Sequence, residues 1–64
     1  MEVGDTVLFA REILGIAQGS QGNVFEVIGD LVRVRVTHHP DCSPHTGFNT
    51  PPLAQENFIL GDNC

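Results

Sequence analysis

The residues best equipped for chemistry stand in one stretch, His38-His39-Pro40-Asp41-Cys42-Ser43-Pro44-His45, which holds all three histidines and one of the two cysteines. Zinc takes four nitrogen or sulfur ligands in a tetrahedron, and His39-x2-Cys42-x2-His45 offers three at tight spacing. His38, Asp41 or the distant Cys64 is the fourth, so the candidate metal set is His39, Cys42, His45 and Cys64, with His38 and Asp41 as substitutes. A structural metal would help a core this small, because its binding free energy becomes folding free energy. Strong zinc signatures pair two short knuckles, whereas the second one here is a lone cysteine. Exposed loop histidines beside a small buried or free Cys42 account for the same residues. Cys42 with His39 or His45 also makes a nucleophile and a base on paper. Residues three apart on a proline-rich loop have no scaffold to fix that geometry, and no third group orients the imidazole. The chain lacks Tyr, Trp and Lys, a glycine-rich phosphate cradle opening a helix, and carboxylates paired at a defined spacing. The expectation is a protein that is not an enzyme, with zinc as the only cofactor to consider. A Cys42–Cys64 disulfide would close a useful loop. Met1-Glu2-Val3-Gly4-Asp5 has neither the basic start nor the apolar stretch of a secretory leader, so the chain reads as cytoplasmic, where both thiols stay reduced.

The loop must be held by a small domain. The chain has 64 residues, 41% of them hydrophobic, and a formal charge of -5 from eight acidic side chains against Arg11, Arg33 and Arg35. One domain, residues 1–64, is the limit, and a chain this short buries only about 60% of its unfolded surface. Three arginines cannot neutralise many phosphates, which argues against nucleic acid and equally against anionic membrane surfaces. The acidity suits a protein partner with a basic surface, or a purely solubilising role. The carboxylates are scattered, so no dense acidic mimic of nucleic acid is indicated.

The clearest element is Asn23-Val24-Phe25-Glu26-Val27-Ile28-Gly29-Asp30-Leu31-Val32-Arg33-Val34-Arg35-Val36, two β-rich runs about a two-residue turn. With Gly29-Asp30 as the turn, Val27 faces Val32, Phe25 faces Val34, Asn23 faces Val36, and Glu26 lies across from Arg33 on the other face. Arg33 and Arg35 then belong to the outer face. Val3 to Ala10 reads as a strand, with Val7 and Phe9 alternating toward one side. Arg11 to Gly22 reads as a loop carrying Ile13, Leu14 and Ile16, either tucked over the core or exposed as an apolar patch. Thr37 to Pro52 is a sixteen-residue loop with four prolines and Phe48 as its apolar anchor. Loops of that length inside compact domains are usually functional. Pro51 to Glu56 suits one helical turn, Asn57 to Leu60 a closing strand, and Gly61 to Cys64 a frayed tail.

This layout is all-β, a small SH3-like barrel of about five strands with a short helical turn before the last. Val3-Gly4-Asp5-x-Val7, then Gly19-x-x-Gly22-x-Val24 and Val32-x-Val34-x-Val36, resembles the opening of several SH3-like families, KOW-type domains among them. It is also similar to the SH3-like electron-transport accessory proteins: the variable chain of ferredoxin–thioredoxin reductase, which has a His-His-Pro loop like His38-His39-Pro40, and the small stromal-side accessory subunit of photosystem I. The Gly4-Asp5-x-Val7 start resembles type II dihydrofolate reductases too, although the Val-Gln-Ile-Tyr segment those enzymes use has no counterpart here. The accessory-protein resemblance implies a module that docks on a larger protein or enzyme subunit through residues 11–21 and 37–52. Ile13, Leu14, Ile16, His38, His39, Phe48 and Asn49 are the candidate contacts. Two alternatives stand beside it: a zinc-binding protein using His38, His39, Cys42 and His45, and a homo-oligomeric enzyme whose site forms only between subunits.

Overall fold

Valines at alternate positions make the spine of the molecule. In the computed structural model, which describes residues 1–64, Val32, Val34 and Val36 lie on β3 (Leu31–His38) and are fully buried. Side chains two apart share one face of a pleated strand, so these three point together into the core. They meet Val24 of β2 (Gln21–Ile28), Val7 and Phe9 of β1 (Thr6–Phe9), Ile16, and Phe58 of β5 (Phe58–Leu60). Phe9 and Phe58 pack edge to face, with ring centroids 5.0 Å apart. A two-residue β4 (Leu53–Ala54) and a 3-10 turn over Gln55–Asn57 precede β5. All pairings are antiparallel, in the order β4-β3-β2-β1-β5. β4 and β5 are at opposite edges, yet only the 3-10 turn separates them in the chain, so the sheet curls until its edges approach without a closing ladder.

The expected all-β class, five strands and short turn before the last strand are all present. The turn starts at Gln55 rather than Pro51, because Leu53 and Ala54 first pair with Val32 and Leu31. β1 is shorter than Val3–Ala10. Gly4 adopts φ +98° and the Asp5 N–H donates to the Glu2 carbonyl, which folds residues 2–5 into a turn.

The β2–β3 hairpin turns at Gly29-Asp30, where only Gly29 has positive φ (+57°), as a type II′ turn requires. Val27 faces Val32 and Glu26 faces Arg33 as expected, with Arg33 Nη1 3.0 Å from Glu26 Oε1. Beyond that pair the expected register fails. A bulge at Phe25 puts Val24 opposite Val34, Asn23 opposite Arg35 and Gly22 opposite Val36. The extra residue sends the small Val24 inward and turns Phe25 out, where the Arg33 guanidinium lies 4.9 Å from its ring centroid.

The sixteen-residue loop is not a free loop. After a turn in which the His39 N–H donates to the Ser43 carbonyl and the Cys42 N–H to that of His39, the chain runs back along the outer edge of β3. His38 bridges Pro44, the His45 N–H donates to Thr37, Val36 donates to the Phe48 carbonyl, and Arg35 bridges Asn49. Thr50, fully buried, completes this return arm: its N–H donates to the Val34 carbonyl at 2.9 Å and its hydroxyl accepts from the Val34 N–H at 2.9 Å. The Thr50 carbonyl is thereby left to accept from Arg33 Nε.

The expected frayed tail is also tied down. The Gly61 N–H donates to Thr6, and the N–H groups of Asn63 and Cys64 both donate to Oε1 of the buried Gln21. Cys42 and Cys64 are disulfide-bonded, with Cα atoms 5.4 Å apart. This overturns the expectation of two free thiols, for a geometric reason: the arm tip and the tail converge on Gln21 from opposite edges of the sheet. The edges of the curled sheet are thus bridged twice, by the 3-10 turn in the chain and by this covalent bond.

Candidate functional site

Two stretches of irregular backbone, 11–20 and the 39–45 arm tip, lie side by side at one end of the molecule. A Cβ placed on Gly19 would sit 3.5 Å from Pro40 Cβ, which fixes the closeness of the two segments. Within the first, Ile13 and Ile16 exchange both backbone hydrogen bonds, at 3.0 and 2.8 Å, and so close a two-residue turn at Leu14-Gly15. Ile16 is a core residue, 6% exposed, and Ile13 packs against the core from a half-buried position. The apolar trio therefore divides: Ile16 stabilises the domain and is not offered to a partner, while Leu14 is 58% exposed.

Leu14 also has φ +55°, and Gly15 φ +79°. A turn with both central residues left-handed favours Asn-Gly, and a leucine there is strained by about 1–2 kcal/mol. Leu14→Asn is accordingly expected to stabilise the domain by about 1 kcal/mol, since the exposed side chain gives up little packing. Denaturant unfolding checks this, and an unchanged or lower midpoint would show that Leu14 is held by contacts rather than strained.

Of the other candidate contacts, Phe48 is half-exposed on the return arm. Asn49 is engaged, its Oδ1 accepting from Arg35 Nε at 3.2 Å. His38 is half-buried, with Nδ1 2.9 Å from Thr37 Oγ1. His39 is exposed on the arm tip, and its ring lies against that of His45, centroids 4.6 Å apart. Asp41 between them is locked by Ser43, whose hydroxyl and N–H donate to Oδ1 at 2.6 and 3.0 Å. Those two bonds, the hydroxyl's first, hold the Asp41 carboxyl below its ordinary range.

The four residues of the candidate metal set thus stand as two pairs at one corner, the His39 and His45 rings together and Cys42 bonded to Cys64. In this oxidised arrangement no three His, Cys, Asp or Glu side chains are grouped to hold a metal ion. The structural elements that sequence reasoning missed here are Gln21, which gathers the tail, and the left-handed Leu14. A buried amide reveals itself only once its neighbours are known, but Leu-Gly where Asn-Gly is preferred was visible in the sequence.

No pocket indents the surface, and no helix is long and apolar enough to cross a membrane. Comparison with family models, with curated proteins and with solved structures finds no match for this chain.

Proposed function

We propose that the protein is a small accessory or regulatory module, not an enzyme, that docks on a larger protein through Leu14 on the 11–21 segment and Phe48 on the return arm. The observation that carries this reading is Leu14: an exposed leucine kept in a left-handed conformation where a polar residue would be more stable. Strain of that kind persists at recognition sites, where it is compensated on binding. The strand order and the 3-10 turn before the last strand support an SH3-like barrel as the scaffold. Ordered hydrogen bonds along the arm support a preformed surface, which lowers the entropy lost on association. Glu12, two residues before Leu14, is exposed, and with the net charge of -5 it favours a partner whose apolar pocket is rimmed by Arg or Lys. We place the module in the cytoplasm, where dithiol reductants would keep the exposed Cys42–Cys64 bond reversible.

Affinity capture with the wild-type protein, compared with Leu14→Asn and Phe48→Ser, tests the reading. The expected result is one partner retained by the wild type and depleted about tenfold or more by each variant, while Leu14→Asn melts no lower than the wild type. An identical partner set for all three would refute it. Ile16→Ala is unsuitable for this purpose, because the side chain belongs to the core.

A further inference from the structure

The corner at the arm tip brings together two imidazoles and two sulfurs, and the remaining polar groups nearby are already committed. His38 is held by Thr37 and Asp41 by Ser43, which leaves His39, His45, Cys42 and Cys64 as the four free or releasable ligands. We propose that this corner is a redox-gated zinc site, closed as a Cys42–Cys64 disulfide in the oxidised protein and opened to a Cys2His2 zinc site when the disulfide is reduced.

The exchange balances with a dithiol as reductant. Its two thiols give up two electrons and two protons, the Cys42–Cys64 bond breaks into two thiols, and the reductant leaves as a disulfide. Zinc then takes both cysteines as thiolates and releases two protons, so that two negative sulfurs neutralise the ion and two neutral imidazoles complete the tetrahedron. Both cysteines are exposed, which lets a reductant reach the bond.

The geometry requires only local movement. Two nitrogens on one tetrahedral zinc lie about 3.3 Å apart and two sulfurs about 3.8 Å apart, from ordinary zinc–ligand distances. Rings with centroids 4.6 Å apart reach the first separation by rotation about their side-chain torsions, displacing the weak 3.3 Å bond from the Gly47 N–H to His45 Nδ1. The second needs the sulfurs to part while Cys64 stays near, and its backbone remains anchored to Gln21 at 3.0 Å. His39 and Cys42 share one turn fixed by their backbone hydrogen bonds, and the His45 N–H is tied to the Thr37 carbonyl, so three of the four ligands stand on a fixed backbone and their side chains must still gather.

Anaerobic titration of the whole protein with Co2+, as a spectroscopic stand-in for zinc, separates the states. The fully reduced protein is expected to take up about one Co2+ per chain with the intense visible bands of a tetrahedral thiolate site, and zinc should displace it. The oxidised protein should show no such bands. His45→Ala, prepared oxidised so that it folds with its disulfide and then reduced, should bind at least about tenfold more weakly. Zinc should also raise the melting temperature of the reduced wild type and leave that of Cys42→Ser/Cys64→Ser unchanged. Uptake by the oxidised protein equal to that of the reduced protein, or only octahedral Co2+ spectra after reduction, would overturn the proposal.

Discussion

Reduction of the Cys42–Cys64 disulfide in the presence of a chelator is expected to lower the stability of the domain by about 3 kcal/mol. The bond joins residues 22 apart in sequence, and a cross-link of that span removes about this much chain entropy from the unfolded state at 25 °C. For a domain of 64 residues the total stability is about 3–10 kcal/mol, so the loss is a third or more of it. The melting temperature should fall by about 12–24 °C, from the usual 4–8 °C per kcal/mol at this size. The native structure gives a second reason to expect a large effect. Without the bond, the end of the tail is held by its two hydrogen bonds to Gln21 Oε1 and the arm tip by its own backbone bonds to β3, so the covalent tie between arm and tail is lost and the two can separate. Cys42→Ser/Cys64→Ser is the matching variant and should reproduce the loss without reductant. A change under about 0.5 kcal/mol in both experiments would mean that the reduced chain stays as constrained as the oxidised one.

What the sequence discloses of this fold follows from which interactions are periodic. The alternation of Val32, Val34 and Val36 and the charge pair between Glu26 and Arg33 identify the hairpin and its turn, because each strand presents side chains with a period of two. The Phe25 bulge is hidden from the same pattern. Val24 and Phe25 are both apolar, so a hydrophobic code cannot say which one turns inward, and packing selects the residue that fits beside Val34. The return arm is hidden for a different reason. It is paired through backbone groups and the Thr50 hydroxyl, while prolines and a two-residue protrusion at Thr46-Gly47 erase any alternation. At the candidate site the His39/His45 neighbourhood was legible from residue types. The division of Ile13, Leu14 and Ile16 among partly buried, exposed and core positions was not, since three apolar residues in a loop read alike. The disulfide depends on two edges of the sheet meeting in space, and an argument from compartment pointed away from it.

Gly22→Ala is expected to destabilise the domain by about 3 kcal/mol or more, through a mechanism unrelated to turn conformation. Gly22 is buried in β2, its φ is not left-handed, and alanine could adopt its backbone angles. The obstacle is the neighbouring strand. A Cβ at this position would lie 2.5 Å from the Arg35 carbonyl oxygen and 2.6 Å from Val34 Cγ1, both well inside van der Waals contact. The first of these is backbone and cannot rotate away, so relief requires β2 and β3 to part. They would part where the register shifts between Gln21 and Gly22 and where Gln21 gathers the tail. The damage should therefore spread from the core valines to the disulfide corner: Gly22→Ala should melt far below the wild type, and its Cys42–Cys64 bond should be reduced faster by a given dithiol. Gly47→Ala serves as the control, because a Cβ there meets nothing within 4 Å and the substitution is limited to the conformational strain at φ +91°. If Gly22→Ala melted within a few degrees of the wild type, the close approach of the two strands would not be a feature of the folded protein in solution. In that case Gly22 would belong with the turn glycines beside it, and the expected loss would shrink to the small effect of changing glycine to alanine in a strand.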